Sequence, residues 1–436
     1  MEIHIERILA QDNPWLRGEP HEPWLASHLP PAFILRRQQL SLELGRASLV
    51  VGPRQAGKST LAWWTLHQAG IPALLLNCEE PALRDWLRSP ALFLDDLAQL
   101  VDEPPALLLE EAQWLDEAGL FLKGLVDRRY PAPILVTGSS SFHLEARTRE
   151  SLAGRARRTL LLPLSYAELA ADIHGPPLAK RQASAELQQR LLRYGGFPAV
   201  VRAREPAQEL ASLVEAFIIR DASDRFDIRN LPAFRRLLGL VASQVGSLAN
   251  HSEWAAHLGI SSDTVASYIG LLEDAHVLKS LRPYAGGRRA ELLQRPKVYF
   301  LDNGIRNQLF GGFGPPAQRA DAGALHANLA LTEILKSIPP LLVSVHHWRT
   351  RSGAEVDFVL EHQGRLMAVE VKAGDARGRI SRSGRSFIEA YEPELFLVAH
   401  GGVRQEWAHG QTVLRFLGLS ELAGVVERWI EASATP

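Results

Sequence analysis

The sequence predicts a mixed α/β chain in three parts: a parallel sheet crossed by helices, a largely helical middle, and an α+β end. Three observations carry this. From Ala47 to Ile134, four apolar runs (ASLVVG, ALLLNCEE, PALLLEEA and APILVTGSSS) alternate with helical stretches such as KSTLAWWTLHQAG, the pattern of buried parallel strands joined by crossover helices. Between residues 247 and 302, a short helix (SEWAAHLG), a turn (GIS), a longer helix (SDTVASYIGLLEDA) and two strand-like runs (VLKSLRPY, KVYFLD) follow one another. That is the order of a winged helix. Beyond residue 323, one helix (ANLALTEILKSI) precedes the β-rich runs HHWRT, EVDFVLEHQG, RLMAVEVKAG and LFLVAH. Between these last two parts, GGFGPPAQRADAG concentrates glycine and proline as a linker does. The expected parts are residues 1–175, 176–310 and 311–436.

At 436 residues the chain is too long for a single core. Its 46% apolar and 22% charged composition is that of a folded protein rather than a disordered one. Lys plus Arg (48) nearly cancels Asp plus Glu (49), so a nucleic-acid surface has to be a local patch. The single cysteine, Cys78, has no partner for a disulfide or a thiolate metal cluster and reads as a small buried hydrophobe in a reducing compartment. No stretch approaches the roughly 20 apolar residues that cross a bilayer, and the first residues lack a basic start followed by an apolar run. The expectation is a cytoplasmic protein with no membrane partner.

The first apolar run leads directly into VGPRQAGKSTL. Gly52, Pro53, Arg54, Gln55, Ala56, Gly57, Lys58, Ser59 and Thr60 cover the P-loop pattern G-x-x-x-x-G-K-[ST]. The glycines let backbone N–H groups turn inward around phosphate oxygens, and the helix that follows adds the positive end of its dipole. Lys58 is expected to reach the β- and γ-phosphates of ATP, and the Ser59 hydroxyl to ligate Mg²⁺. LLLEEAQ offers Glu110 as the second Mg²⁺ partner and Glu111 as the base for the attacking water. Aspartate is usual at the first of these positions, so Glu110 is a departure that moves the oxygens outward. Ser139, first of Ser139, Ser140 and Ser141, is placed to sense the γ-phosphate. Arg155 is read as a charge for the phosphoryl transition state, in cis or from a neighbouring subunit, against the alternative of a surface ion pair. Trp63 and Trp64 read as packing residues.

The ordered set GPRQAGKSTL, LLLEEAQ, LVTGSSS, ESLAGRA, YGGFP, IIRD, GISSDTVASYIGLLEDAHVL, KVYFLDNGIRN and EVDFVL…AVEVKAG resembles the bacterial and archaeal AAA+-type ATPases that end in a domain of unknown function, DUF4143, similar to restriction-type nucleases. The likeness runs from about residue 30 to about residue 400. It implies a P-loop NTPase sheet with a helical lid, a winged-helix domain and a restriction-endonuclease-like α+β domain. It also implies sites completed between subunits, hence a homo-oligomer, in the form of a ring.

In the last part, Asp357, Glu370 and Lys372 look like a PD-(D/E)xK core, where two carboxylates hold a divalent metal and a lysine positions or deprotonates water. Alternation along a strand puts Glu370 and Lys372 on one face. Related sequences carry glutamate before the asparagine of the preceding helix; here the pair is Ala327 and Asn328, and Glu333 lies about 240° further round, too far to replace it. Arg282, Arg288, Arg289, Arg295 and Lys297 in the wing, and Arg377, Arg379, Arg382 and Arg385 beyond, suit phosphate contact without base reading. The second helix shows Ser261, Ser262, Asp263, Thr264 and Ser267 with no lysine or arginine, which argues against sequence-specific recognition. His346 and His347 have no further ligands at familiar spacings. The expectation is an ATP-dependent DNA motor of translocase, helicase or branch-migration type, structure-specific for DNA. The alternatives are an ATP-gated metal-dependent nuclease and a nucleotide-dependent protein-binding switch.

Overall fold

A computed structural model describes residues 3–138, 152–216, 228, 230–286 and 295–432. Ser139, Ser140, Ser141, Arg288, Arg289 and the IIRD stretch (218–221) lie outside the described residues. The chain divides into two compact units, residues 1–163 with 274–276, and residues 164–273 with 277–436.

The first unit is built on five parallel strands, β1 (Ala47–Val51), β2 (Ala73–Asn77), β3 (Ala106–Glu110), β4 (Ile134–Gly138) and β5 (Ala156–Leu160), in the order β2-β3-β4-β1-β5. The apolar runs are continuous because both faces are covered. Leu74, Leu76, Leu107, Leu109 and Val136 join one core with Phe93, Leu97 and Phe121. On the other face Val50, Leu75, Leu108 and Leu135 pack on Leu61, Trp63 and Leu66 of the helix Lys58–Ala69. Each such leucine contributes roughly 1.5–3 kcal/mol by leaving water.

The exposed edge of β2 is capped by side chains. Asn13 Nδ2 donates to the Leu75 carbonyl at 3.0 Å while its Oδ1 accepts from the Leu75 N–H at 2.6 Å, and the Ala73 N–H donates to His21 Nε2 at 2.8 Å. These bonds satisfy groups that would otherwise template pairing with another strand. Cys78 is fully buried, and burial pushes its thiol pKa up, in line with a packing role.

In the second unit, helices His251–Leu258 and Ser262–Asp274 are followed by an antiparallel ribbon of β6 (Leu278–Leu281) and β7 (Lys297–Phe300). A six-stranded sheet comprises β8 (Ser344–Arg349), β9 (Glu355–His362), β10 (Arg365–Val371), β11 (Leu395–Ala399), β12 (Gln405–His409) and β13 (Thr412–Leu417). Its order is β12-β13-β11-β10-β9-β8, with parallel pairs only at β10–β11 and β11–β13.

The motifs YGGFP and LDNGIRN interlock. Asp302 is 5% exposed and caps the helix Asn303–Phe310, accepting from the N–H groups of Gly304 and Ile305 and, across the chain, from that of Gly196 at 2.8 Å. A Cβ at Gly195 would stand 2.0 Å from the Asp302 carboxylate, and one at Gly304 would stand 2.1 Å from the Tyr194 carbonyl. Both glycines are therefore fixed by close approach.

The segment 311–323, expected as a linker, is instead pinned. Arg306 is completely buried, with Cζ 4.2 Å from the Phe310 ring centre and Nε donating to the Ala242 carbonyl at 2.9 Å. It also binds Asp321, to which Arg319 Nη2 donates at 2.7 Å. Glycine and proline here serve turns within one compact unit rather than a hinge between two.

Arg319 first, then Arg306, hold the Asp321 carboxyl at about 2, below its ordinary 3.8. Its folded pKa lies below the unfolded value. The resulting stability, about 2 kcal/mol, is therefore present above about pH 4 and lost as pH falls towards 2. Urea unfolding of Asp321→Asn is expected to show a large deficit against the parent at about pH 7 and a smaller one at about pH 2.5. An equal gap at both would exclude this linkage.

Candidate functional site

The loop between β1 and the helix Lys58–Ala69 takes its shape from three residues with positive φ: Gly52 at 152°, Gln55 at 59° and Gly57 at 94°. Gly52 is also crowded, since a Cβ there would lie 2.1 Å from the Leu161 carbonyl oxygen. Arg36, 8% exposed, ties the loop to its surroundings by donating to the carbonyls of Ala56 at 2.8 Å and Leu162 at 2.6 Å. Lys58 is 5% exposed, and its Nζ donates to the carbonyls of Gly52 at 3.2 Å and Pro53 at 2.9 Å. The ammonium is thus held inside the curve of the loop. Pro53 and Ala56 are buried, Arg54, Ser59 and Thr60 half-buried, and Gln55 exposed.

β3 lies two strands from β1, with β4 between them, and ends at Glu110. Burial raises the Glu110 pKa; the Ser59 hydroxyl, His28 and the Trp63 indole oppose that rise, while Glu111 adds to it. Its Oε1 is buried with no hydrogen-bond partner. An orphaned carboxylate oxygen beside the Ser59 hydroxyl fits a hydrated Mg²⁺, so Ser59 and Glu110 are the residues that would hold one. Glu111 sits in the left-handed region at φ 52°. Its N–H donates to Thr137 Oγ1 of β4 at 3.3 Å, and Gln113 Nε2 donates to its Oε2. A strained backbone and two side-chain contacts thus fix the direction of this carboxylate.

Sequence reading missed the aromatic wall behind Glu110. Trp63 stacks on His28 with ring centres 4.0 Å apart and meets Trp24 edge-on at 5.2 Å. Trp63 therefore packs, as its helical spacing suggests, and also touches the site. His28 and Trp24 come from a segment with no motif of its own, so only the fold brings them here.

Residues 45–170 match an AAA domain, residues 185–315 a domain of unknown function (DUF8612), and residues 322–419 a domain of unknown function (DUF4143). An uncharacterized protein of Mycobacterium tuberculosis is 30% identical over 370 residues, covering 82% of this chain and 78% of its own. The chain belongs to the AAA+-type P-loop ATPases that end in a DUF4143 domain. Another such relative, an uncharacterized protein of Haemophilus influenzae, is 24% identical over 343 residues, with 74% of this chain and 81% of its own covered. The Thermotoga maritima RuvB Holliday junction branch migration motor aligns at 16% identity over 54% of this chain and 81% of that one, with a TM-score of 0.30. The AAA+ assignment therefore rests on strand order, motif placement and the family matches. Among the described residues of this AAA+-type ATPase, no helix is long and apolar enough to cross a membrane.

For this ATPase, the in cis role of Arg155 and the exposed position of Lys297 are corrected. Arg155 precedes β5, and its carbonyl accepts from the Ala47 N–H at 2.9 Å, which places it at the amino end of the sheet. Five strand residues, roughly 16 Å at about 3.3 Å each, separate Ala47 from Gly52. Arg155 cannot serve its own P-loop; it forms a surface ion pair with Asp127 at 2.6 Å. Lys297, expected on an exposed wing, is 3% exposed and bound to Glu355. The whole of β7 is buried, so strand alternation gives this lysine no outward position. Arg282 and Arg295 are exposed, as are Arg377, Arg379, Arg382 and Arg385.

In the DUF4143 region, Asp357 on β9 is half-buried and accepts from the Val371 N–H at 2.8 Å. Glu370 on β10, 2% exposed, accepts from the Ser381 hydroxyl and lies 3.8 Å from Lys372 Nζ. Burial raises both carboxyl pKa values; the Val371 N–H opposes it first at Asp357, and Ser381 first at Glu370, with Lys372 opposing it at both. The fold thus brings Asp357, Glu370 and Lys372 together. Glu333 is engaged elsewhere, with Lys336 at 2.9 Å and the Tyr166 N–H at 2.8 Å. Asn328 bonds the Phe300 N–H at 2.9 Å and Asn303 at 2.6 Å. Among the described residues, no group of three or more His, Cys, Asp or Glu is arranged to hold a metal. His347, buried beside Lys297, has its pKa lowered to about 4, chiefly by burial. Like Glu110 Oε1, Glu370 Oε2 is buried with no hydrogen-bond partner.

Proposed function

We propose that this AAA+-type ATPase couples ATP hydrolysis to movement on DNA. The observation that carries the hydrolytic part is the buried Lys58 ammonium inside a positive-φ loop, with Glu110 and Glu111 at the end of β3. When a triphosphate enters, loop N–H groups and the Lys58 ammonium meet its β- and γ-oxygens. Ser59 and Glu110 would hold a Mg²⁺ that would supply positive charge against the phosphates. Glu111, aimed by Thr137 and Gln113, takes the proton of the attacking water. Of the roles expected for Arg155, only charge supplied to a neighbouring subunit's site remains, and that would require it to leave Asp127.

The DNA part is supported by the exposed row Lys372, Arg377, Arg379, Arg382 and Arg385, a set suited to phosphates rather than base edges. Helix Ser262–Asp274 exposes Asp263 and Ser267, so the reading is structure-specific rather than sequence-specific. ATPase rate measured alone and with single-stranded, duplex and branched DNA tests it. Stimulation of several-fold by at least one DNA is expected, falling steeply with added salt. A rate indifferent to every DNA would favour a protein-directed switch.

A further inference from the structure

Lys297 departs furthest from its sequence setting. It lies on β7, paired with Leu281 of β6 and bridged to Leu248, so its backbone is held from two sides. The side chain is 3% exposed, and its ammonium is bound by Glu355, which Arg349 also engages at 2.8 Å. Its charge acts on Asp357, as does that of Lys372. Three carboxylates (Glu355, Asp357, Glu370) therefore share one neighbourhood with three cations (Lys297, Arg349, Lys372), and the cluster is neutral without any added ion.

We propose that the carboxylate centre of the DUF4143 region keeps Lys297 as its resident cation in place of a divalent metal, so that it takes up neither Mg²⁺ nor Mn²⁺ and does not cleave phosphodiesters. Entry of a dication would add two positive charges to a charge-balanced cluster and set them against the buried ammonium of Lys297, which is 3% exposed. The ligands are also partly engaged. One Asp357 oxygen accepts from Val371 and one Glu370 oxygen accepts from Ser381, while the other Glu370 oxygen, which has no hydrogen-bond partner, faces the Lys372 ammonium at 3.8 Å. Ala327 stands where a third carboxylate is expected, and Glu333 is bound to Lys336. The inference is independent of whether ATP drives movement on DNA.

Mn²⁺ titration of the full chain without nucleotide, read by loss of the free-ion electron paramagnetic resonance signal, tests it. The parent and Asp357→Asn are expected to bind Mn²⁺ with the same stoichiometry. Lys297→Met is expected to gain one equivalent, which Asp357→Asn then removes. A parent that binds one Mn²⁺ more than Asp357→Asn overturns the proposal, as does folded Lys297→Met with no gain. Should Lys297→Met fail to fold, the double variant with Glu355→Gln takes its place, and the comparison of parent with Asp357→Asn decides by itself. Asp357-dependent nicking of supercoiled plasmid in Mg²⁺ or Mn²⁺ would equally overturn it.

Discussion

Lys58→Ala is expected to lower the ATPase rate at saturating ATP by at least about 100-fold, the loss that follows removal of one preorganised transition-state donor. The Lys58 ammonium is already desolvated, and it donates to the loop carbonyls of Gly52 and Pro53. Moving it onto phosphate exchanges neutral acceptors for charged ones, so its interaction strengthens as charge develops on the γ-phosphoryl group. Loss of a hydrogen bond to a charged group weakens binding by roughly 1.5–3 kcal/mol, so ATP affinity should also fall by about 10- to 100-fold. Steady-state phosphate release and titration with labelled ATP check both numbers, and parental turnover in the variant would refute the site.

Glu111→Gln is expected to separate binding from turnover. The glutamine keeps the shape of the side chain and leaves the Thr137 contact to the main-chain N–H intact. It cannot accept the proton of the attacking water, so kcat should fall by about 10²- to 10⁴-fold while ATP affinity stays within a few-fold of the parent. Single-turnover hydrolysis beside an equilibrium titration distinguishes the two variants: Lys58→Ala loses both quantities, Glu111→Gln only one. A Glu111→Gln protein that turns over normally would transfer the role of base to another group.

The parts of this molecule that sequence reveals are those whose chemistry is local. β1 to β4 are continuous apolar runs because helices cover both faces, and the P-loop lies at the junction that its pattern demands. β5, with the sequence ARRTL, escapes because Arg157 and Arg158 are exposed on an edge strand. β12, with QEWAH, escapes for the same reason, being exposed at every position. Glu110 and Glu111 are legible from their place after PALLL, whereas His28 reaches Glu110, and Trp24 packs on Trp63 behind it, only through the fold. Lys297 misleads because a lysine near glycines and arginines reads as surface, while its short strand is buried throughout. The glycine- and proline-rich stretch before residue 323 misleads in the opposite sense, since its mobility is cancelled by Arg306 and Arg319 closing on Asp321.

The crowding at Gly52 has a consequence for anyone who scans this loop by mutation. The space that a methyl group would need at position 52 is already filled by the main chain entering from the outermost strand of the same sheet. A dead variant there would be mistaken for a failure to grip the triphosphate, when its first injury is to the packing of the sheet. Measurements of nucleotide grip should therefore be drawn from positions whose neighbours have room to yield.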